Sequence, residues 1–273
     1  MFEDSGERIT ILPEIGPGFD AVLVFGGDGT VHRHLAAAVA SKVPVLCVPV
    51  GSGNDFARSL GIRSIADALA AWRAFRKNAA NVRAVDLGEI SCINDNLART
   101  VLYCCVAGVG LDSEVNRRAN RLPSWLRGHG GYVLSLPAAL LSFKPPRVSV
   151  ELIEGSHRYR IAEPVMLVAF ANAPSYGHGM CIAPRALLDD GKLDVCLVRR
   201  TSKLRLLRLF PKVYAGTHLS LPEIEYAQCL ALRVESDRPL DLFADGEHIG
   251  QTPAELRLLP RAFLVVVPAQ IHC

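Results

Sequence analysis

Two strand–turn–helix units near the start of the chain restrict its fold more than any other feature of the sequence. A continuous apolar run, 21–25, is followed by a glycine-rich turn, 26–30, and then by an alanine-rich segment with helical spacing. A second apolar run, 43–48, is followed by a second glycine-rich turn, 49–55, and another helix. Apolar runs of this length are typical of buried parallel strands, and their alternation with helices predicts a parallel α/β sheet.

Both glycine turns are expected at the carboxyl edge of that sheet, where ligands bind. Glycine lets the backbone approach a ligand closely, and the N–H groups at the start of the following helix favour an anion such as phosphate. The turns match neither the P-loop nor the dinucleotide-binding fingerprint. From the residues alone, Asp28 is best interpreted as a turn former and Asp55 as a helix-capping residue.

From about residue 81 onwards, the chain is dominated by short β-like runs separated by turn signals. This pattern predicts an antiparallel β-rich domain. One predicted strand covers 101–106, and Asp-Gly hairpin turns are predicted at 190–191 and 245–246. Helical insertions are predicted over three segments: 112–120, 132–141 and 203–214.

Composition excludes several classes of protein. Of the 273 residues, 50% are hydrophobic and 21% are charged, which fits a packed core and not a disordered chain. No apolar run approaches the roughly 18–20 residues that cross a bilayer, and the acidic start, 1–4, does not resemble a signal peptide. The eight cysteines form no C-x-x-C pair, which favours reduced core thiols over a zinc or redox site. These features predict a soluble, cytoplasmic protein.

The net charge is only +3, but the basic residues are unevenly distributed. The segments 115–150 and 195–222 each contain six Lys or Arg residues and no Asp or Glu. Within them, 117–127 and 199–212 place basic residues beside apolar and aromatic ones. Such stretches either meet an anionic partner or form a solvated face. Nucleic acid is not expected as the partner, because no nucleic-acid-binding motif is present.

The glycine turns also carry a family resemblance. GGDGT at 26–30 and PVGSGNDFARSLG at 49–61 resemble the catalytic domain of diacylglycerol kinases and their bacterial lipid-kinase relatives, a superfamily that includes sphingosine and ceramide kinases. The second motif is highly specific, whereas the first is shared with NAD kinases. The resemblance continues in order through six further segments: 86–88, 107–112, 172–180, 183–184, 187–192 and 244–247.

This resemblance implies a Mg²⁺-dependent transfer of the ATP γ-phosphoryl group to a lipid hydroxyl, with diacylglycerol as the expected acceptor. The implied fold is an α/β domain of the NAD kinase/diacylglycerol kinase type with a parallel sheet, followed by a β-sandwich-like antiparallel domain. The active site is expected in the cleft between the domains. We place the boundary near residue 85, giving domains 1–85 and 86–273, and leave open a return of the last strand to the first domain.

A lipid kinase must meet its substrate at a membrane. The resemblance therefore favours transient peripheral docking of the basic stretches 117–127 and 199–212 on the anionic inner face of the membrane.

The resemblance also implies roles for individual residues. Glu247 aligns with the general base, which takes the proton from the lipid hydroxyl as its oxygen attacks phosphorus. Asp28 and Asp55 match acidic positions of the Mg–ATP network, in keeping with the preference of Mg²⁺ for oxygen ligands. The implied nucleotide-binding residues are Gly26, Gly27, Asp28, Gly29, Thr30, Val31, His32, Gly51, Ser52, Gly53, Asn54 and Asp245. The implied metal-linked residues are Asp86, in the Mg–ATP network, and Leu187, Asp190 and Lys192, which would hold a second, structural Mg²⁺.

Structural interpretations compete with several of these roles. Without the resemblance, Glu247 is best interpreted as an exposed residue after an Asp-Gly turn, and the resemblance reverses that preference. Asp190 fits a plain Asp-Gly hairpin equally well, and for Asp86 a metal-linked role and a structural role are equally favoured.

The sequence departs from the family pattern at its start. Family members begin with a strand and an Asn-Pro-x-Ser-Gly phosphate loop, whereas only 25 residues precede Gly26 and no such loop occurs. We expect either a natural start further upstream or a chain that lacks the first strand and part of the nucleotide site. A smaller departure is His178, at a position where relatives usually have glycine.

Two alternative functions follow. The short N-terminus motivates a non-catalytic, membrane-associated protein that binds a nucleotide or lipid. A kinase of the same fold that acts on NAD is disfavoured, because 51–58 has the lipid-kinase form. The lipid, the nucleoside triphosphate and the oligomeric state are left open by the sequence.

Overall fold

The computed structural model describes residues 15–93, 100–122, 131–154 and 157–269. Its helices are α1 (Asp28–Ser41), α2 (Asp55–Ser59), α3 (Ile65–Asn78), α4 (Leu111–Ala119), α5 (Gly131–Ser142) and α6 (Lys203–Tyr214). Its strands are β1 (Val22–Gly26), β2 (Val45–Pro49), β3 (Val82–Cys92), β4 (Thr100–Tyr103), β5 (Val106–Gly110), β6 (Arg147–Glu154), β7 (His157–Ala171), β8 (Leu193–Arg199), β9 (Ile224–Cys229), β10 (Ala231–Ser236), β11 (Asp241–Ala244), β12 (Glu247–Gln251) and β13 (Ala254–Val266).

The first part of the chain forms the predicted α/β arrangement. β1 and β2 pair in parallel, with Val22 opposite Val45. Each strand is followed by a glycine turn and a helix, so both turns lie at the same sheet edge. The helices bury apolar side chains that include Leu35 of α1 and Phe75 of α3, as expected for amphipathic helices that cover a sheet.

The second part is a sandwich of mainly antiparallel strands. One sheet contains β6, β10 and β13, and the other contains β5, β8, β9, β11 and β12. The fifteen-residue strand β7 joins them, because it pairs with β6 along its first half and with β5 and β8 along its second. Buried side chains from both sheets, among them Val150, Val168 and Leu232, form a common core.

β13 connects the two parts. It starts beside β10 and ends beside β2, where Val265 lies opposite Val45 in a parallel pairing. β3 runs antiparallel to β13 on both sides of a break between Leu259 and Phe263. The predicted fold class is confirmed, although the first sheet is mixed because β3 is antiparallel. The boundary predicted near residue 85 falls inside β3 and stays a prediction.

Two local predictions were wrong. The strand predicted over 101–106 is interrupted at Cys104–Cys105, because the carboxylate of Asp245 accepts the N–H groups of both cysteines that a continuous strand would use. Asp190–Gly191 does not join two strands, since the turn leads into β8 and its Gly191 N–H donates to the Asp86 carboxylate. The three predicted helical insertions are confirmed as α4, α5 and α6.

No helix in the described ranges is both long enough and apolar enough to pass through a bilayer.

Candidate active site

The two glycine turns pack directly against each other. A Cβ atom placed on Gly51 would lie 2.4 Å from the Cα atom of Gly27, and one on Gly26 would lie 2.4 Å from Oγ1 of Thr30. The Val50 N–H also donates to the Gly26 carbonyl, at 3.3 Å. A side chain at Gly51 would force the two turns apart, and one at Gly26 would collide with the Thr30 side chain, so both positions favour glycine.

Asp28 connects the first turn to the helix that follows the second. Its carboxylate oxygens accept the backbone N–H groups of Asp55 and Phe56, each at 3.0 Å. This is an N-terminal cap for α2 supplied from a different turn. Burial raises the pKa of Asp28 to about 6, and the nearby charges of Asp55 and Asp245 act in the same direction.

The second turn is locked by its own asparagine. Asn54 lies in the left-handed region, with φ at 59°. Its side-chain amide donates to the Gly51 carbonyl at 2.7 Å, and its Oδ1 atom accepts the Gly51 N–H at 3.2 Å. Asparagine tolerates this conformation better than most residues, which explains its place in the motif.

Asp55 binds the second turn to the other domain. Its side chain is buried, and Oδ1 accepts bonds from Arg58 (2.6 Å), Ser175 (3.1 Å) and the Gly179 N–H (2.8 Å). Oδ2 accepts the His178 N–H at 2.9 Å. His178 has φ at 71°, a conformation that favours glycine, so the departure from the family pattern leaves the loop geometry intact. Asp55 therefore acts as a positioning residue at the interface between the domains.

Asp245, in the β11–β12 turn, holds a third segment in place. Its carboxylate accepts the N–H groups of Cys104 and Cys105, each at 2.9 Å, and lies 3.1 Å from Nδ1 of His32 in α1. Burial lowers the pKa of His32, but its bond to Asp245 and the charges of Asp245 and Glu247 outweigh burial, so the pKa is raised overall. Asp245 thus ties the turn that carries Glu247 to both the β4–β5 bend and α1.

Glu247 faces the start of α1 from the opposite domain. Its side chain is exposed, and its Oε1 atom lies 3.5 Å from the position of a Cβ on Gly29. The residues of both turns and of the 245–247 segment line one cleft of about 420 Å³. The structure therefore brings Asp28, Asp55 and Glu247 together at this cleft.

Most of the predicted nucleotide-binding residues line this cleft, with four exceptions. Gly26 and Asn54 lie behind it and shape the turns. Val31 is buried in the core of the first domain. His32 lines an adjacent cleft of about 380 Å³, which shares Gly29, Arg33 and Glu247 with the first.

The cleft wall also contains residues that were not predicted from the sequence, among them Arg33, Asn116 and Asn120. Arg33 is an exposed cation one turn into α1. Because it lies in the helix that follows the first glycine turn, its position in the sequence could have indicated that it lines the cleft. Asn116 and Asn120 lie four residues apart on α4 and its C-terminal end. Asn120 donates to the Gly246 carbonyl at 3.1 Å. This contact joins two segments distant in sequence, which is why no local pattern indicated it.

The predicted metal-linked residues gather elsewhere. Asp86 is buried, and its carboxylate oxygens accept the N–H groups of Arg261 (2.7 Å) and Gly191 (2.8 Å). Its own N–H donates to the Leu188 carbonyl at 2.6 Å, so it lies beside the segment that contains Leu187, Asp190 and Lys192. These four residues are not among the described residues that line the cleft. Their role in metal binding stays a prediction.

An apolar cavity of about 40 Å³ adjoins the cleft. Its walls come from α4, α5, α6 and neighbouring strands, and include Leu111 and Met180. Tyr176, which lines the cleft, donates its hydroxyl to the buried carboxylate of Asp112 at 2.8 Å. Because Asp112 follows Leu111 in the chain, this hydrogen bond stands between the polar cleft and the apolar cavity.

Comparison with known proteins agrees with this architecture. The family model of the diacylglycerol kinase catalytic domain matches residues 2–90, and that of the YegS C-terminal NAD kinase beta sandwich-like domain matches residues 105–267. A diacylglycerol kinase of Mycobacterium tuberculosis (strain ATCC 25618 / H37Rv) is 32% identical over 267 residues, which cover 96% of this chain and 81% of the relative. A diacylglycerol kinase of Bacillus subtilis (strain 168) is 26% identical, over 92% of this chain and 79% of the relative.

Solved structures support the fold. A diacylglycerol kinase structure from Bacillus anthracis str. Sterne superposes with a TM-score of 0.61 at 20% identity, covering 91% of this chain and 76% of that one. Yeast NADH kinase, solved with NADH, gives a TM-score of 0.53 at 10% identity, covering 93% and 63%. With both domains matched in order and a relative of 32% identity along almost the whole chain, this protein belongs to the diacylglycerol kinase catalytic-domain family with a YegS-type C-terminal domain.

Proposed function

We propose that this protein is a lipid kinase that transfers the γ-phosphoryl group of ATP to the free hydroxyl of diacylglycerol, producing phosphatidic acid. The observation that carries the proposal is the position of Glu247, which projects from the second domain into the cleft formed by the two glycine turns. The names and the extent of similarity of the curated relatives support the same activity.

The cleft suits a triphosphate. The closely packed turns leave backbone rather than side chain along one wall, and the fourteen-residue helix α1 directs the positive end of its dipole there. Arg33 adds a cation at the rim and has no ion pair among the described residues. Positive groups at this edge would neutralise charge on the transferred phosphoryl group.

The donor set of the cleft fits a magnesium ion. Asp28 presents carboxylate oxygens, the ligands that Mg²⁺ prefers, and each Asp28 oxygen that accepts one N–H keeps a second lone pair. Asp28 would hold the ion, which when bound would neutralise charge on the phosphate oxygens, and Glu247 would stay free of the metal. Asp55 already accepts four hydrogen bonds and is better suited to positioning the turn.

Glu247 is proposed to act as the general base. Its carboxylate would accept the proton of the lipid hydroxyl while the hydroxyl oxygen attacks the γ-phosphorus. Because it lies on the wall opposite the glycine turns, an acceptor hydroxyl beside it would face the terminal phosphate. Positioning of this kind typically contributes about 10²–10⁴-fold to the rate.

The neighbouring apolar cavity favours a lipid acceptor over NAD. Its volume of about 40 Å³ has room for only a few methylene groups, so it could receive one short part of an acyl chain among leucine, methionine and phenylalanine side chains. Every part of NAD beyond its rings carries polar or charged groups. Burial of each methylene group stabilises a bound chain by about 0.8 kcal/mol.

A kinase assay with matched variants tests the function. We expect the protein, given radiolabelled ATP and Mg²⁺, to label diacylglycerol in mixed micelles and to leave NAD unlabelled, with phosphatidylglycerol and sphingosine as further acceptors in the panel. Glu247→Gln should lower kcat by about 10²–10⁴-fold. Glu235→Gln changes a partly exposed glutamate on β10, outside the cleft, and serves as the control with unchanged activity.

Each outcome has a defined meaning. Labelling of NAD alone would overturn the lipid acceptor. Lipid labelling that survives Glu247→Gln would overturn the general-base role. No labelling of any acceptor by the wild type, with ATP still bound, would favour the non-catalytic alternative.

We also propose that the face formed by α5 and α6 docks on an anionic membrane. Leu134, Leu141, Leu204 and Leu207 are all large apolar side chains exposed on these helices, with Leu141 75% exposed. Lys203 donates to the Leu141 carbonyl and so joins the two helices. Part of α6 also lines the apolar cavity, which would place the cavity next to the lipid.

The predicted basic stretches contribute unequally to that face. Arg117 and Arg118 are paired with Glu114, and Arg199 is paired with Glu163 and Glu225. Ion pairing removes much of the attraction of these arginines for anionic lipids. The cations of 199–212 that have no ion pair among the described residues are Arg200, Lys203, Arg208 and Lys212. Residues 123–127 of the other stretch lie outside the described residues. We therefore assign docking to the α6 region on the basis of these four cations and the exposed leucines.

Liposome co-sedimentation tests the docking face. Leu141→Ser combined with Leu204→Ser should reduce binding to anionic vesicles by roughly thirtyfold, since each leucine contributes on the order of 1 kcal/mol when partly inserted. Leu230→Ser removes another exposed leucine, which lies outside this face in the β9–β10 turn, and should bind like wild type. Raised salt should weaken wild-type binding. An equal loss of vesicle binding in the double variant and in Leu230→Ser would refute the assignment, as would the absence of wild-type binding at low salt.

A further inference from the structure

Two adjacent cysteines, an aspartate and a histidine meet below the floor of the cleft. The Sγ atoms of Cys104 and Cys105 lie 4.0 Å apart, and Cys104 Sγ lies 3.4 Å from Oδ2 of Asp245. That same oxygen lies 3.1 Å from Nδ1 of His32. Ligand atoms of the two cysteines and the aspartate all fall within 4.8 Å of one another. The catalytic role proposed above uses neither thiol.

These separations match the edges of a tetrahedral metal centre. With bonds of ~2.3 Å to sulfur and ~2.0–2.1 Å to nitrogen or oxygen, the ligand atoms around Zn²⁺ lie roughly 3.3–3.8 Å apart. The observed sulfur–sulfur separation of 4.0 Å and sulfur–oxygen separation of 3.4 Å require shifts of only a few tenths of an ångström. The imidazole of His32 lies beside Asp245 but outside the group of ligand atoms within 4.8 Å of one another, so it would have to move closer to the thiols to join them. Two sulfurs, one carboxylate oxygen and one imidazole nitrogen also form a donor set that soft and borderline cations prefer.

The charge balance permits an ion in this buried place. Burial raises the pKa of the Cys104 thiol well above its ordinary value, so the metal-free thiols are neutral. Binding one divalent cation with release of two thiol protons to solvent leaves the net charge of the cluster unchanged. Metal binding therefore buries no additional charge. Burial of extra charge would strongly oppose binding.

The ion also has a route of entry. Cys105 and Asp245 both line the 420 Å³ cleft, although the two thiols themselves are buried. An ion that enters the cleft reaches Asp245 and Cys105 first and Cys104 behind them.

We propose that Cys104, Cys105 and Asp245 form a binding site for Zn²⁺ or Cd²⁺, with the fourth position filled by water or by His32 after a shift of its side chain. The site lies outside the phosphoryl-transfer chemistry and does not depend on the proposed kinase function. Occupancy would draw Oδ2 of Asp245 away from the Cys104 N–H that it now accepts. Because Asp245 begins the turn that carries Glu247, a bound ion would shift Glu247 and inhibit any reaction at the cleft.

Metal titration of the purified, reduced and chelator-treated protein tests the site without reference to activity. Cd²⁺ should produce the ultraviolet thiolate-to-metal charge-transfer band with a stoichiometry of one ion and the release of two protons per ion. Cys105→Ser should remove the band. Cys181→Ser is the matched control, because Cys181 is a partly exposed thiol outside the cluster, and it should retain the band.

X-ray absorption at the zinc edge of the loaded wild type covers the case in which Cys105→Ser fails to fold. Two sulfur ligands at ~2.3 Å together with nitrogen or oxygen ligands would support the site. A zinc ion with only nitrogen and oxygen neighbours would overturn it, as would a Cd²⁺ band that persists in Cys105→Ser or the absence of stoichiometric binding by the wild type.

Discussion

The aspartates around the cleft are held by backbone N–H groups. Asp28 accepts two from α2, Asp55 accepts two from the 178–179 segment, and Asp245 accepts those of Cys104 and Cys105. A carboxylate that accepts several backbone donors is fixed in position, and its loss leaves those donors unsatisfied. These aspartates therefore shape the cleft, whereas Glu247 is left exposed for chemistry.

Asp28 makes the stability of the protein depend on pH. Its pKa of about 6 in the folded protein lies above the ordinary value of 3.8, so folding favours the protonated form. Its contribution is fully present below about pH 4 and is lost as the pH rises through about 6. Between about pH 4 and pH 7, the free energy of unfolding of wild type should fall by about 3 kcal/mol relative to Asp28→Asn.

Urea denaturation of both proteins at several pH values measures this difference. Asp28→Asn removes the titrating group at nearly constant shape, so other ionisable residues cancel in the comparison. A stability difference that stays flat, or one that moves in favour of wild type as the pH rises, would contradict the environment assigned to Asp28.

At the scale of elements, local signals in the sequence were sufficient for some predictions. The β1–turn–α1 and β2–turn–α2 units follow from apolar runs and from glycine positions that the Gly27–Gly51 contact requires. The helices α4, α5 and α6 follow from their spacing. Each of these features is decided by residues within one short segment.

Other features depended on residues far away in the chain. The bend at Cys104–Cys105 is imposed by Asp245, and some arginines of the basic stretches are neutralised by acids distant in sequence, as Arg199 is by Glu163 and Glu225. A charge run in sequence therefore overstated the basic surface. The joint site of Asp28, Asp55 and Glu247 was expected from the family resemblance, because nothing in the spacing of Glu247 connects it to the glycine turns.

At the scale of the molecule, the two domains share strands. β3 and β13 pair along their length from the α/β part into the sandwich, and Asp86 reinforces their crossing. Its carboxylate joins the break in β13, at Arg261, to the 188–191 segment. Because both domains contain the same two strands, we expect them to unfold together.

Asp86→Asn tests this coupling. The change replaces one acceptor oxygen by a donor that faces a backbone N–H, so it should lower the free energy of unfolding by roughly 2–3 kcal/mol. Native-state hydrogen exchange should show an equal loss of protection in α3 of the first domain and in β6 of the second. The matched control is Asp189→Asn. The carboxylate of Asp189 is partly exposed and pairs with Arg83 at 2.6 Å, so its loss should lower the free energy of unfolding by less than about 1 kcal/mol.

Measurements with and without magnesium separate the structural role of Asp86 from its predicted role in metal binding. If the N–H groups alone explain Asp86, the loss is the same with Mg²⁺ and with chelator. A loss seen only with Mg²⁺ would assign Asp86 to a metal site, and a loss confined to one domain would refute the cooperative coupling.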